Sequence, residues 1–449
     1  MILLKSIPKV DKFIQNKAFK GMGQALITKL AKKHIEALRE NILQKQVDLI
    51  DENILIENVL SEYQDIISAS LKKVINATGV IIHTNLGRSL INEESFDRIK
   101  EVSTSYNNLE YDLDKGKRGE RYSHITKVVK ELLGCEDVLI VNNNASAVFL
   151  ILNTFSKNKE AIVSRGELVE IGGSFRIPDV MSNSGAILKE IGTTNKTHLK
   201  DYEDACNENS ALLMKVHKSN YMIEGFTSEV DHKYIVELAK QKNIIDYYDM
   251  GSGHVIDLPF GLSSNEPSLK EILKCDPSLV SFSGDKLLGS IQAGIIVGKK
   301  KYIDELKKNQ LLRMLRVDKI TLALLEDTFR SLVLDQTQKI PTLHMLFTPI
   351  ETLYKRANTL KDKISGIAQC EVIETTTVIG GGTTPNKKIP SIALSIKVDE
   401  LKAHKIEKLF REHLIIGRIE DEKFLIDFRS IQENELSTLQ NTIEKIFHG

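Results

Sequence analysis

A lysine and an aspartate have the spacing of a site that could hold a flat aldehyde cofactor. Lys286 ends the segment SFSGDK, which follows an apolar run and also contains Ser283. A lysine just past a buried strand loses solvation, so its pKa falls and its neutral amine can form a Schiff base. Asp249, in DMGSG, precedes Lys286 by 37 residues. A carboxylate on the ring nitrogen would keep a pyridine cofactor protonated.

Each of these residues has a structural alternative when it is considered alone. Lys286 could be a surface lysine in a loop. Asp249 could cap a turn or a helix. The order of the two, aspartate first and lysine tens of residues later, favours the chemical interpretation.

A small-residue segment supplies a candidate phosphate site. VNNNASAV, 141–148, contains Asn144, Ala145 and Ser146, and it joins an apolar run to a helical pattern. Backbone N–H groups at such a helix start can bind phosphate, and Ser146 would add a hydroxyl. Taken alone, the segment is better explained as an ordinary capped helix.

A further polar segment follows another strand-like run. His217, Ser219 and Asn220 lie in VHKSNY. We predict that they contact the cofactor ring or its phenolic oxygen, and a purely structural role is the alternative. We predict no metal site, since the histidines lack ligand spacing.

The elements that must position these residues are short apolar runs that alternate with helical patterns from about residue 76. The runs span 137–143, 160–166, 210–217, 243–253, 278–286 and 293–300. Such runs are typical of buried parallel strands joined by helices. Ligands bind at the carboxyl ends of these strands, where the candidate residues lie. The pattern predicts an α/β fold with a mostly parallel central sheet.

The length of 449 residues exceeds what one core usually supports, so we expect several domains. Patterning divides the chain into four predicted parts. These are an N-terminal helical domain (1–60), a linker helix (61–75), a large cofactor-binding catalytic domain (76–335) and a C-terminal α+β domain (336–449).

Charge is balanced overall but not along the chain. Acidic and basic residues number 61 each. Residues 1–50 hold ten Lys and Arg against four Asp and Glu, a net charge of +6. A basic end favours a polyanion-binding module, and a solvated helix surface is the alternative.

Cysteine spacing and hydropathy indicate a cytoplasmic chain. The four cysteines are far apart, without CxxC spacing, so neither a zinc ribbon nor a disulfide framework is expected. The start lacks the apolar core of a secretion signal, and no window is long and apolar enough to span a membrane.

Longer stretches carry a family resemblance. The chain resembles the bacterial selenocysteine synthases, which are L-seryl-tRNA(Sec) selenium transferases. The matching stretches cover nearly the whole chain: INATGVIIHTNLGRSL (75–90), YDLDKGKRGERYSH (111–124), VNNNASAV, SRGELVEIGGSFRIPDVM (164–181), GTTNKTHLKDY (192–202), KVHKSNYMIEGF (215–226), DMGSG, SFSGDKLLG, LLRMLRVDK (311–319) and IIGRIEDEKFLIDFR (415–429).

The resemblance implies a type I aminotransferase-like fold with pyridoxal 5'-phosphate as cofactor, held by Lys286. It implies conversion of seryl-tRNA(Sec) to selenocysteinyl-tRNA(Sec) by β-replacement, with selenophosphate as selenium donor. Arg88, Arg313 and Arg316 match the arginines expected to hold that donor. The N-terminal domain is expected to recognise the tRNA, and the subunits are expected to form a homo-oligomer, a decameric ring of dimers.

The sequence departs from the family pattern at one place, where Ser290-Ile291 replaces the usual Gly-Pro after the lysine. This leaves the local loop conformation open. Two alternatives to the implied function remain. One is a small-molecule pyridoxal-phosphate-dependent lyase or sulfur transferase of the same fold, and the other is a tRNA-binding protein without catalysis.

Overall fold

A computed structural model describes residues 2–172, 175–265, 267–384, 387–398 and 401–448. The chain forms two compact units, Met1–Lys73 and Val74–Gly449. In the described part of the chain, no helix has the length and apolar character needed to cross a membrane. The linker helix and the boundary at 335/336 stay predictions.

The first unit is helical, with α1 (Ile2–Lys5), α2 (Val10–Phe13), α3 (Gln24–Leu43) and α4 (Glu52–Ile67). The Asp51 side chain caps α4 by accepting the backbone N–H groups of Asn53 and Ile54. Apolar residues at helical spacing form a small separate core, which includes Phe13, Phe19, Ile27, Leu30, Ala31, Ile35, Leu55, Val59 and Tyr63. The lysines of α3 are exposed.

The second unit contains strands and helices in alternation. Its strands are β1 (Ile75–Asn76), β2 (Tyr111–Asp112), β3 (Lys117–Arg118), β4 (Asp137–Val141), β5 (Glu160–Ser164), β6 (Glu170–Ile171), β7 (Phe175–Arg176), β8 (Ile187–Ile191), β9 (Ser210–Val216), β10 (Ile245–Gly251), β11 (Leu279–Ser283), β12 (Gly294–Gly298), β13 (Gln369–Val378), β14 (Lys388–Lys397), β15 (Ile415–Ile416), β16 (Arg418–Glu420) and β17 (Lys423–Asp427).

Its helices are α5 (Glu93–Thr104), α6 (Ser123–Leu133), α7 (Asn144–Phe155), α8 (Ile177–Ser184), α9 (Leu199–Ala205), α10 (His232–Lys242), α11 (Leu269–Lys274), α12 (Lys300–Lys308), α13 (Leu312–Leu315), α14 (Lys319–Val333), α15 (Pro341–Phe347), α16 (Ile350–Ile364), α17 (Ala403–Glu412) and α18 (Leu436–His448).

The central sheet has seven strands in the order β4-β12-β11-β10-β9-β5-β8. β12 pairs antiparallel with both neighbours, and the other pairs are parallel. Every residue of β4, β11 and β12 is buried, which explains their mostly apolar sequences. The predicted mostly parallel sheet is confirmed.

The C-terminal part of the chain forms a second, antiparallel sheet with the strand order β13-β14-β17-β16. It packs with α16, α17 and α18 around its own apolar cluster. The short strand β1 pairs with β15, and an isolated bridge joins Thr78 to Asp427. The segment 75–79 is therefore attached to this second sheet before it leads to residues 82–89 near the site.

Candidate active site

The carboxyl ends of β4, β9, β10 and β11 lie at one edge of the central sheet. Since β12 is antiparallel to both β4 and β11, those two strands run in the same direction. In the register across the sheet, Val216 pairs with Asp249 and Asp249 pairs with Ser281. The sequence-predicted residues therefore converge, as the strand-end rule requires.

Lys286 is buried at this edge, in the connection between β11 and β12, with 7% of its surface exposed. Burial lowers the pKa of its amine, Arg88 adds to the effect, and the carboxylates of Asp249 and Asp285 oppose it. A larger neutral fraction results, and the neutral amine is the nucleophilic form.

Asp249 is also buried, and Asn144 Nδ2 donates a hydrogen bond to its Oδ1 at 2.7 Å. Burial raises the pKa of the Asp249 carboxyl, while the Asn144 bond and the charges of Lys286 and His217 oppose that rise. The backbone N–H of His217 donates to the Asp249 carbonyl at 2.9 Å. Asn144, predicted for the phosphate segment, is thus in contact with the aspartate.

The small-residue segment begins α7. Asn143 caps the helix, and its Oδ1 accepts the N–H of Ser146 at 2.8 Å. Because the Ser146 N–H is already bonded to Asn143, the hydroxyl is the group of Ser146 that can bind a phosphate. β12 passes close to the backbone of Asn143: a Cβ built on Gly294 would lie 2.2 Å from the Asn143 carbonyl oxygen.

Of the predicted residues after β9, Ser219 is close to the same glycine as the buried lysine. It is buried, and a Cβ built on Gly251 would be 4.0 Å from Ser219 Cβ and 3.8 Å from Lys286 Nζ. Asn220 is exposed, and its Nδ2 donates to the Glu170 carbonyl at 2.8 Å. The loop 217–220 is thereby fixed to the segment that follows β5.

The three predicted arginines differ in their described contacts. Arg88, in a left-handed backbone conformation, donates from Nη1 to Asp285 Oδ2 at 2.8 Å. Arg316 lies at the end of β4, where it bridges Val141 and approaches Glu110 Oε1 at 3.6 Å. Arg313 is exposed on α13. The contacts connect Arg88, not Arg313 or Arg316, to the lysine segment.

Comparisons with known proteins agree with this geometry. The family model for L-seryl-tRNA selenium transferase (SelA) matches residues 74–432. This chain belongs to that family.

The chain also has full-length relatives named L-seryl-tRNA(Sec) selenium transferase. One from Aliarcobacter butzleri is 62% identical over 449 residues and 100% of both chains. One from Sulfurimonas denitrificans is 62% identical over 446 residues and 99% of both chains. Among solved structures, D-glucosaminate-6-phosphate ammonia-lyase matches with a TM-score of 0.61 and 19% identity, covering 86% of this chain and 98% of that one. The last similarity confirms the predicted type I fold.

The site residues of this family member fit pyridoxal phosphate, the cofactor that was predicted. A buried amine with a lowered pKa and a buried carboxylate face the same edge. Asn144 Oδ1 is buried and has no hydrogen-bond partner among the described residues, which is costly unless a ligand satisfies it. When bound, pyridoxal phosphate supplies an electron sink for substrate chemistry.

Several residues of the site were not predicted from the sequence. Ser89 donates from Oγ to the carbonyl oxygens of Asp285 at 2.8 Å and Lys286 at 2.7 Å. Gly382, from the loop between β13 and β14, lies against the Lys286 amine. The run of three glycines at 380–382 is the signal that could have indicated such a close backbone approach.

Proposed function

We propose that this chain converts L-seryl-tRNA(Sec) to L-selenocysteinyl-tRNA(Sec) by replacing the serine β-hydroxyl with selenium from selenophosphate. The observation that carries the proposal is the burial of Lys286 and Asp249 at one sheet edge of a selenium transferase family member. The alternative, a small-molecule lyase or sulfur transferase of the same fold, is an outcome of the test below.

Lys286 moves the proton at the substrate Cα. Its neutral amine is the base that removes this proton, and its lowered pKa maintains that form. Asp249 stabilises a proton on the cofactor ring nitrogen, and Asn144 holds the Asp249 carboxylate in place through the 2.7 Å hydrogen bond. Ala145, Ser146 and Ser283 complete the proposed cofactor contacts.

His217, Ser219 and Asn220 form the loop at the end of β9 that we assign to the cofactor ring. Support for this assignment comes from Ser219, which is buried beside Gly251, and from His217, whose N–H is bonded to the Asp249 carbonyl. Asn220 acts more indirectly, through its bond to the Glu170 carbonyl.

Arg88, Arg313 and Arg316 are the proposed ligands of selenophosphate. A guanidinium group can bind a tetrahedral oxyanion through two parallel hydrogen bonds. Arg88 is 38% exposed at its side chain while it is bonded to Asp285, the residue before the lysine. It can therefore contact a donor in solution and remain next to the reacting centre.

The N-terminal unit is the proposed binding site for the tRNA. Its first 50 residues carry a net charge of +6, and the lysines of α3 are exposed. Phosphate contacts to such a surface make binding salt-dependent. We further propose that the enzyme is cytoplasmic and assembles as a homo-oligomeric ring of dimers.

The function is tested by measuring transfer of labelled selenium from selenophosphate to purified seryl-tRNA(Sec). Seryl-tRNA(Ser) is the comparison substrate. We expect label only in seryl-tRNA(Sec). Absence of transfer by an enzyme with verified bound pyridoxal phosphate would contradict the proposal and favour the small-molecule alternative.

Lys286→Ala tests the assignment of the lysine. This variant should lose both the cofactor absorbance and selenium transfer while it still binds the tRNA. Selenium transfer by the variant would show that the assignment is wrong. If the wild type transfers selenium and the variant binds the tRNA without transferring selenium, the wild type is a catalyst and not only a tRNA-binding protein.

A further inference from the structure

Glu167 connects the ends of two neighbouring strands beside the active site. The last registered pair between β5 and β9 is Val163 with Met214. Two residues further along β9, the backbone N–H of Val216 donates to Glu167 Oε2 at 2.9 Å. The carboxylate thus supplies a hydrogen-bond acceptor where β5 has already ended. Glu167 is 3% exposed, so this bond is shielded from water.

The other carboxylate oxygen of Glu167 is paired with a buried cation. Lys215 Nζ lies 3.3 Å from Glu167 Oε1, and it also donates to the Val230 carbonyl at 2.9 Å. Burial alone would lower the pKa of Lys215, but the charges of Glu167 and Glu229 outweigh it and raise that pKa. Glu167 therefore binds the last two residues of β9, through the side chain of Lys215 and the backbone of Val216.

The segment around Glu167 also holds the far end of the loop 217–220. The hydroxyl of Tyr221 donates to the Gly166 carbonyl. Asn220 Nδ2 donates to the Glu170 carbonyl at 2.8 Å. Burial, together with the charges of Glu167 and Glu229, raises the pKa of Tyr221 to about 12, so its hydroxyl remains a donor at neutral pH.

Packing leaves the segment little freedom to move. A Cβ on Gly166 would lie 2.6 Å from the Thr194 carbonyl oxygen, and the Ser164 hydroxyl is 2.7 Å from the Thr197 hydroxyl. A segment confined in this way can act as a fixed support. The loop it holds begins at His217, whose N–H is bonded to the Asp249 carbonyl.

We propose that Glu167 is a positioning residue, which fixes His217 and Ser219 relative to Asp249 by clamping β9 at Val216. The inference rests on the proposed function, because it assigns the loop 217–220 to the cofactor ring. Glu167 acts through β9 and is not itself placed in contact with the cofactor or substrate.

The matched variants are Glu167→Met and Glu229→Met, because a glutamine would keep a side-chain oxygen that could still accept the Val216 N–H. Each removes one negative charge beside Lys215, since Glu229 Oε2 lies 3.7 Å from Lys215 Nζ. Only Glu167 also accepts the N–H of Val216. Tyr221→Phe is a second, milder variant, which removes the bond to Gly166 and keeps the ring.

Two measurements separate positioning from general stability. The first is amide hydrogen exchange over 210–221 in the full-length chain without cofactor. The second is the pH titration of the bound-cofactor absorbance in the loaded enzyme. For Glu167→Met we expect faster exchange at 216–221, a displaced titration midpoint and a fall in kcat of roughly tenfold or more, because small displacements at a reacting centre are costly.

Glu229→Met should leave the titration midpoint, kcat and the exchange of the Val216 amide near the wild-type values. Its exchange at 217–220 is not compared, because Glu229 Oε2 also lies 3.1 Å from Nζ of Lys218 in that loop. Tyr221→Phe should accelerate exchange at 217–221. Wild-type exchange and a wild-type titration in a folded Glu167→Met enzyme would overturn the proposal. If Glu167→Met does not fold, wild-type exchange in Tyr221→Phe would overturn it instead. Failure of the wild type to transfer selenium would count against the proposed function, whereas the exchange measured without cofactor still decides whether the clamp exists.

Discussion

Gly382 lies directly against the amine of Lys286, although the two residues belong to loops of different sheets. A Cβ built on Gly382 would be 2.6 Å from Lys286 Nζ and 2.9 Å from its Cε. The neighbouring Gly380 is equally confined, with a Cβ position 2.1 Å from the Ile82 carbonyl oxygen. The C-terminal sheet therefore supplies one wall of the site, and that wall is backbone.

From this contact we predict that Gly382→Ala loses most of the bound cofactor and the selenium transfer. The added methyl group would occupy the space at the amine, and the left-handed φ of +76° would add about 1 kcal/mol of strain. Absorbance of the bound cofactor measures the loss. Gly134→Ala is the control, since Gly134 has a similar φ of +68° but open space at Cβ. Equal behaviour of the two variants would refute a steric effect at Lys286.

Asp249→Asn should reduce turnover by about 10²-fold or more, because an amide stabilises a proton on the ring nitrogen far less than a carboxylate does. A shifted absorbance of the bound cofactor should accompany the loss. Asp246→Asn is the matched control on the same strand. Asp246 is also buried, but it accepts hydrogen bonds from Ser278 at the opposite end of β10. The assignment fails if Asp249→Asn keeps wild-type turnover.

The rate at which the cofactor-free chain takes up pyridoxal phosphate should rise with pH. The neutral amine of Lys286 is the reactive form, and its fraction grows as pH increases through its pKa. Burial lowers that pKa below the ordinary value of 10.5. The rise should therefore be centred below pH 10.5, as measured by stopped-flow absorbance. A rise centred at or above 10.5 would contradict the burial of the amine.

Lys29→Ala combined with Lys32→Ala should weaken binding of seryl-tRNA(Sec) and reduce the slope of log affinity against log salt by about 1 to 2. Both lysines are exposed on α3. Filter binding over a salt series measures both effects. The control is Lys405→Ala with Lys408→Ala on α17, where no tRNA contact is proposed. An unchanged slope in the α3 variant would argue against this face as the tRNA site.

Ser290 has a packing role that a glycine would lack. Thr328 Oγ1 donates to Ser290 Oγ at 2.8 Å, a hydrogen bond that a glycine could not accept. Ser290→Gly should therefore destabilise the chain by about 1 kcal/mol in urea denaturation and leave the cofactor spectrum unchanged. A changed spectrum would show that the Ser290 side chain also positions Lys286.

The sequence was sufficient to predict the fully buried strands of the central sheet but not the partly exposed edge strand β8. β4, β11 and β12 are mostly apolar because all their residues are buried. β8, with the sequence ILKEI, was not among the predicted strands. Only its last residue is fully buried, and Ile187 is 51% exposed, so its pattern carries little strand signal.

Among the proposed site residues, the sequence by itself predicted Lys286 and Asp249, because their chemistry depends on residue type and on position after apolar runs. Only the tertiary structure decided what surrounds them. Gly382 and the Lys286 amine lie close together although they are distant in the chain. Glu167 contacts Val216 beyond the last residue pair that joins β5 to β9. Such contacts depend on how sheets and loops pack, and no local periodicity or spacing encodes that packing.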